Sequence, residues 1–355
     1  MKERVYTSPF NTLECPPSAQ ELLDLAFKRS FKPRSIKGED LISSARTREI
    51  GRIASMADII CSRFKAVVRS FPSFDALHPF YRELTDVLVG VDELRLALSR
   101  IEWARKMIRR LSRQYIKRLM RTNDFKAMEK IRKEAMGRIS SIIKSVSSDI
   151  DLIRSAYQKL RTVPDIQVGS PTIVIAGMPN TGKSTLVRKI STGRPEVASY
   201  PFTTRSLLVG HFYLKGGALR VQIIDTPGLL DRPLSERNEI ELQAILALKR
   251  LAWFIVFLID PTETCGYSVK NQISLLEEIS HEFSDIEIMI VLNKRDLWSQ
   301  FPESVEKCKS LLMKKQKSFH EISAETGLGV DVLATNLGRE ILELYRIKKE
   351  RKFAS

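Results

Sequence analysis

Two hydrophobic rhythms divide the chain. In the first half apolar residues recur every three or four positions: Leu94, Leu98, Ile101, Ile108, Leu111, Tyr115 and Leu119 fall on one side of a helix, and similar patterns cover residues 47–71 and 124–157. These predict three long helices packed as a bundle. A short helix is predicted over 19–30, within a segment, 1–46, that Pro9, Pro16, Pro17 and Pro33 otherwise make irregular. The helical rhythm ends over 161–170, where Pro164, Gly169 and Pro171 precede a β-branched run. Beyond it, apolar runs of strand length alternate with helical stretches: 172–176, 207–214, 219–224, 254–259, 286–292 and 319–322. Six strands with helices between them predict an α/β domain whose mainly parallel sheet is covered on both faces. Only residues 215–218 separate the second strand from the third, so these two form a hairpin and contribute one antiparallel edge strand. The predicted organisation is an irregular segment (1–46), a helical-bundle domain (47–166), an α/β domain (167–345) and a basic tail (346–355).

Charge changes the picture for the first half only. The net charge is +16, and residues 1–168 hold 33 Lys and Arg against 20 Asp and Glu, whereas the rest holds 25 against 22. Such asymmetry calls for an anionic partner, nucleic acid or a membrane surface, for the N-terminal half. No apolar run approaches the roughly 18 residues of a membrane span, and residues 1–20 lack the apolar core of a secretion signal. The four cysteines, Cys15, Cys61, Cys265 and Cys308, show no CxxC spacing and suggest neither a zinc site nor a disulfide framework. A reducing compartment, cytosolic or nuclear, fits, and a cytoplasmic location is the expectation.

The α/β half carries chemistry at its strand ends. Gly177-Met178-Pro179-Asn180-Thr181-Gly182-Lys183-Ser184 fits GxxxxGK[ST] and stands between a predicted strand and a predicted helix, the context a P-loop requires. There the backbone N–H groups of the loop, with Thr185 behind it, converge on the α and β phosphates, Lys183 reaches the β and γ phosphates, and Ser184 ligates Mg²⁺. A P-loop does not choose between adenine and guanine. Asn293-Lys294-Arg295-Asp296, an NKxD motif at a predicted strand end, does: Asp296 can accept from both guanine N1–H and the exocyclic amine, Lys294 lays its stem along the base, and Asn293 ties its loop to the P-loop. Ser323-Ala324-Glu325 resembles the SAK-type loop, in which the Ala324 N–H would meet guanine O6. Asp225-Thr226-Pro227-Gly228 closes the hairpin, placing Asp225 at the Mg²⁺ hydration shell and the Gly228 N–H towards the γ-phosphate. Tyr200-Pro201-Phe202-Thr203-Thr204-Arg205 is the switch I candidate, with Thr204 preferred over Thr203 as a further Mg²⁺ ligand. The fold class predicted is thus a Ras-like P-loop GTPase domain, with GTP/GDP and Mg²⁺ as its ligands, preceded by an all-α helical-bundle domain.

Two residues bear on turnover. Leu229 stands where Ras-like proteins carry the glutamine that orients the attacking water, so slow intrinsic hydrolysis, stimulated by a partner or by potassium, is expected. Asn180 is the residue type that helps hold K⁺ beside the phosphates in cation-activated GTPases; the competing reading is an asparagine that stabilises the turn. The catalytic candidates are Lys183, Thr204, Gly228 and Asn180.

In the helical half, Arg105, Arg109, Arg113, Lys117 and Arg121 follow one another at i+4, with Lys106, Arg110 and Arg118 beside them, and no acidic residue occurs from 103 to 123. A face of eight unpaired cations predicts binding to RNA phosphates, chiefly through Arg105, Arg109, Arg110, Arg113, Lys117 and Arg121; a merely solvated surface is the competing reading. Trp103, Tyr115 and Phe125 are expected to pack in the core. A membrane anchor is disfavoured because the apolar stripe is needed for the bundle.

These motifs carry a resemblance. The run of NxGKS, YPFTT and DTPG is similar to the Obg-like translation-associated GTPases. Asp225-Thr226-Pro227-Gly228-Leu229-Leu230-Asp231-Arg232-Pro233-Leu234, continued by Glu236-Arg237-Asn238 and Glu241, resembles switch II of the Nog subfamily, the nucleolar-type GTP-binding proteins. His78-Pro79-Phe80-Tyr81, Leu96-Ala97-Leu98 and Ala135-Met136-Gly137-Arg138 are similar to that subfamily's helical domain. The resemblance spans roughly residues 8–345. It implies a GTPase that acts as an assembly factor on the large ribosomal subunit precursor, with rRNA and ribosomal proteins or other assembly factors as partners and no metal beyond nucleotide-associated cations. With Ser355 as its last residue, the chain resembles a short, archaeal-type member. The alternative implied is a GTP-binding placeholder on pre-ribosomes, or another ribosome-associated Obg-like GTPase, with little hydrolysis of its own.

Overall fold

A computed structural model describes residues 8–32, 40–163, 165–198, 207–233 and 236–354. The N-terminal half forms α1 (Ala19–Ser30), α2 (Leu41–Ser70), α3 (Pro79–Val89), α4 (Val91–Met120), α5 (Phe125–Ser145) and α6 (Ser147–Leu160). Polar caps set where these helices begin. Ser18 and Glu21 form a reciprocal capping box at α1, Asp40 accepts the N–H of Ser43 at α2, and Asp124 accepts that of Ala127 at α5. The Asp40 cap starts α2 at Leu41, before the predicted position 47. The predicted third helix is two, because Val146 leaves helical geometry (φ −110°, ψ 16°) and Ser147 opens α6.

The chain folds as two compact units, one of residues 9–77 and 88–161, the other joining 78–87 to the chain from 162 onward. In the helical unit, Ile53, Ile60 and Phe64 of α2, Leu94, Ile101 and Ile108 of α4, Ile139 and Ile143 of α5, and Ile150 and Ile153 of α6 are buried. Fully burying one such side chain contributes about 1.5–3 kcal/mol. Among them sits an ion cluster: buried Glu49 meets Arg52 at 2.7 Å and Arg132 at 2.6 Å, and both guanidinium groups lie against the Phe31 ring.

The second unit is built on β1 (Thr172–Ala176), α7 (Lys183–Ile190), β2 (Glu196–Ala198), β3 (Leu207–Leu214), β4 (Leu219–Asp225), α8 (Glu239–Lys249), β5 (Phe254–Ile259), α9 (Val269–Glu282), β6 (Glu287–Leu292), α10 (Pro302–Lys314), β7 (Phe319–Glu321) and α11 (Val330–Ala354). The sheet order is β2-β3-β4-β1-β5-β6-β7. β3 and β4 form the predicted hairpin, turned by Lys215–Gly217. The sheet has seven strands rather than six, because β2 pairs antiparallel with β3, pairing Val197 with Leu208 and displacing β3 from the edge. β4, β1, β5, β6 and β7 run parallel, and every residue of β1 and β5 is buried, as helices on both faces require. Their C-terminal ends lie together, where an open α/β sheet builds its ligand crevice.

Helix α3 departs from the predicted boundaries. Residues 78–87 lie in the sequence of the helical half yet belong to the sheet-containing unit. Tyr81 Oη donates to the Ile166 carbonyl at 2.9 Å and accepts the Ile166 N–H at 3.2 Å, and Glu83 pairs with Arg250 at 2.8 Å. No helix among the described residues is long and apolar enough to cross a membrane.

Candidate nucleotide site

The strand β1 delivers the P-loop, and glycine makes its path possible. Gly177 has φ +133°, and a Cβ there would lie 2.3 Å from the Leu258 carbonyl oxygen; Gly182 has φ +99°, and a Cβ there would lie 2.2 Å from Asn293 Nδ2. The Gly177 N–H donates to the Leu230 carbonyl at 3.0 Å, so this glycine's part in the loop is steric. Thr181 Oγ1 donates to the Met178 carbonyl, and the buried Lys183 ammonium is 2.8 Å from the carbonyls of Gly177 and Met178, which holds its charge over the loop. Pro179 and Thr185 are half-buried, and Asn180 is exposed at φ +60°.

Ser184 and Asp225 meet across the start of α7 and the end of β4, the hydroxyl donating to Asp225 Oδ2. Asp225 Oδ1 is buried without a hydrogen-bond partner among the described residues. Burial pushes the Asp225 carboxyl above its usual range; the Ser184 hydrogen bond and the Lys183 charge oppose that, and the negative charge of Asp231 adds to it. An orphaned carboxylate oxygen beside a hydroxyl is a donor set that fits a small divalent cation such as Mg²⁺. Thr203 and Thr204 lie outside the described residues.

The base end is lashed together by one side chain. Asn293, buried after β6, donates Nδ2–H to the Thr181 carbonyl at 2.8 Å and accepts the Ala324 N–H on Oδ1 at 2.8 Å. The Ala324 N–H, expected to meet guanine O6, is therefore bonded to Asn293 in this structure. Ser323 donates to Asp296 Oδ1, fixing the carboxylate expected to read the base. Lys294, at φ +60°, extends to Asp260 Oδ2 at 2.8 Å and Thr264 Oγ1 at 2.9 Å. Burial alone would raise the Asp260 carboxyl, but Lys294 and the Thr262 donors outweigh it and hold it below the usual range. Asn180, Gly182, Thr185, Asn293, Lys294, Asp296, Ala324 and Glu325 line one cavity of about 300 Å³. The geometry thus brings the three predicted loops to a single pocket.

Two features of the site were missed by sequence reasoning. Asp260 follows β5 with no motif around it, and only its burial and bonds reveal it. Asp231 and Arg237 follow the predicted γ-phosphate sensor, and their pairing at 3.2 Å is not visible from spacing.

The α4 face is narrower than predicted. Arg105 forks onto Glu102, with both nitrogen–oxygen distances 2.7 Å; Lys106 lies 3.9 Å from the same carboxylate, and Arg118 pairs with Glu134. Glu102 lies one residue before the acid-free run, within reach at i+3 and i+4, so the eight cations are not all unpaired. Arg109, Arg110, Arg113, Lys117 and Arg121 are exposed and form no ion pair with a described residue. The first four, with Gln114, line much of a groove of about 420 Å³. Tyr115 is buried as expected, but Trp103 and Phe125 are each 51% exposed, contrary to the expectation that they pack in the core.

A mainly parallel sheet of this order, with a P-loop at its first strand and an asparagine after β6 bridging it to the Ala324 loop, is the G domain of the P-loop GTPase fold class, here accompanied by a helical domain. Comparison with known proteins narrows the class. A family model for the NOG1 N-terminal helical domain matches residues 10–167, and one for nucleolar GTP-binding protein 1 (NOG1) matches 239–296. The chain belongs to the NOG1 family. It is 37% identical over 293 residues to an uncharacterized protein of Methanocaldococcus jannaschii, covering 82% of this chain and 81% of that one. It is 33% identical to nucleolar GTP-binding protein 1 of Drosophila melanogaster, covering 87% of this chain and 47% of the relative, and 29% identical to that of Saccharomyces cerevisiae, covering 95% and 51%. The chain thus spans about half the length of these two eukaryotic relatives. Among solved structures, a nucleolar GTP-binding protein 1 from Plasmodium falciparum is 34% identical with a TM-score of 0.45, covering 54% of this chain and 95% of that one.

Proposed function

We propose that this chain is a GTPase that converts GTP to GDP and phosphate and serves as an assembly factor for the large ribosomal subunit, holding rRNA through the exposed cations of α4. The observation that carries the nucleotide half is Asn293, whose two hydrogen bonds join the P-loop, the Asp296 loop and the Ala324 loop around one pocket. Asp296 accepts the two donors on the guanine edge, while Lys183 draws charge from the β and γ phosphates. Ser184 and Asp225 would hold Mg²⁺, which when bound neutralises the phosphate charge. The Gly228 N–H orients the γ-phosphate, and Asn180 stands where K⁺ would supplement the charge.

Leu229 is wholly buried and apolar, so it cannot orient a water molecule. Turnover is accordingly slow alone and stimulated by potassium or by a ribosomal partner. The same residue favours a second reading, a placeholder that binds GTP and rarely hydrolyses it. For the RNA half, neutralising phosphates with the five exposed cations of α4 gives an affinity that falls steeply with salt. The family membership and the names of the nucleolar relatives support the ribosomal setting, and work in the cytoplasm is part of the proposal. GTP turnover in potassium and in sodium, with and without large-subunit particles, tests it. Stimulation by particles is the expected result; tight GTP binding with no turnover under any condition selects the placeholder.

A further inference from the structure

The loop after β4 holds a charge arrangement that the nucleotide reading leaves unexplained. Asp231 has a side chain 8% exposed, and that of Arg237 is 0% exposed. Asp231 Oδ2 accepts the Gly228 N–H at 2.7 Å, and Oδ1 pairs with Arg237 at 3.2 Å. The other terminal nitrogen of Arg237 donates to the Gly228 carbonyl, so one guanidinium grips both that carbonyl and the carboxylate bound to the N–H of the same residue. Glu241, on α8, completes the cluster, 4.0 Å from Arg237 and 2.8 Å from Arg232. Attraction inside such a cluster is largely offset by the desolvation of its charges. Its effect lies in fixing one geometry of the backbone on both sides of Gly228.

Gly228 is the residue whose N–H the nucleotide reading assigns to the γ-phosphate. A single N–H satisfies one strong anionic acceptor at a time, and a carboxylate and a phosphate oxygen are equivalent in kind. We propose that Asp231 is a built-in stand-in for the γ-phosphate: its carboxylate holds the Gly228 N–H in the resting switch, and GTP, but not GDP, must displace it. The inference rests on the guanine-nucleotide reading of the site. Three features of the loop support it. Gly228 has φ +84°, so its peptide can reorient without a Cβ in the way. Asp231 stands near enough to Asp225 for the two carboxylates to repel, so an arriving phosphate would repel it too. Arg237 directly precedes Asn238, the cap of α8, so displacement of Asp231 loosens the grip at the start of that helix and carries the state of the nucleotide into it.

Equilibrium binding of fluorescent GDP and of a fluorescent non-hydrolysable GTP analogue to the full chain and to Asp231→Ala tests this. Removing one charge-assisted competitor should tighten analogue binding about tenfold and leave GDP affinity within about twofold. Because Asp231→Ala leaves Arg237 buried without its carboxylate, the double variant Asp231→Leu/Arg237→Met removes both charges and should show the same shift. Amide hydrogen exchange at Gly228 without nucleotide should also quicken about tenfold in Asp231→Ala, since the protecting bond is gone. An unchanged analogue-to-GDP ratio in both variants, or unchanged exchange, overturns the proposal alone. Failure of the wild-type chain to bind either nucleotide overturns the nucleotide reading, and the proposal with it.

Discussion

The two ends of the nucleotide pocket are built on opposite plans. At the end assigned to the base each proposed recognition side chain is held by another part of the protein: Asn293 by Thr181 and Ala324, Asp296 by Ser323, Lys294 by Asp260 and Thr264. At the phosphate end Lys183 is held in the same way, but two groups have alternatives: Asp225 keeps an unpartnered buried oxygen, and the Gly228 N–H bonds to a carboxylate instead of waiting for a ligand. The first plan suits a recognition that does not change through the cycle, because pre-held groups lose little freedom on binding. The second suits a sensor, because a group with two acceptors of similar strength can be moved by a small difference in affinity.

The largest effect expected from breaking this contrast is at Lys183. Lys183→Ala removes the buried ammonium assigned to the β and γ phosphates and should lower affinity for GTP and GDP by about a thousandfold, read by equilibrium binding of fluorescent nucleotides. Retained affinity would sink the P-loop assignment. At the base end, Asp296→Asn puts an amide donor where guanine offers donors. GTP affinity should fall about a hundredfold while xanthosine triphosphate, with a carbonyl at that edge, gains; equal loss of both nucleotides would show that Asp296 does not read the base. A smaller change is expected at Asp260, which is buried and acts through Lys294. Asp260→Ala should weaken GTP and GDP alike by about tenfold, without altering their ratio, whereas a change in the ratio would place Asp260 at the phosphate end.

The smallest effect concerns pH. The Asp260 carboxyl is held below its usual range in the folded chain, so its stabilising contribution is complete above the ordinary aspartate value of about 3.9 and is lost only as pH falls through the lower folded value. Thermal unfolding should therefore show no pH dependence from this group between pH 7 and pH 5, where its contribution is constant, and Asp260→Asn should flatten the loss of stability below about pH 4. A difference between the two proteins that grows from pH 7 to pH 5 would contradict the assignment.

What could be seen in the sequence follows the same division. Lys183, Ser184, Asp225, Asn293 and Asp296 were legible because nucleotide chemistry demands those residue types at strand ends, in a fixed order along the chain. The central strands β1 and β5 were legible because burial on both faces makes them almost wholly apolar. β2 was not, since three residues, Glu196–Ala198, are too few to show alternation and an edge strand needs only one neighbour. The break at Val146 was hidden because neither proline nor glycine marks it. Glu102 was overlooked because it sits just before the acid-free window, yet a side chain at i+3 reaches across its edge. Asp231 and Arg237 could be read as a motif, but their contact depends on how the loop closes, which no periodicity records.

Helix α3 has a consequence for synthesis. Phe80, Tyr81 and Leu84 are buried, and the partners they share the unit with come much later: Ile166 is 85 residues beyond Tyr81, and Arg250 is 167 beyond Glu83. At about 5–20 residues per second, a ribosome would leave this apolar helix without its full set of partners for roughly ten to thirty seconds. The nascent chain must therefore shelter an early segment until a late one emerges, and the sheet-containing unit cannot mature in the order in which it is translated.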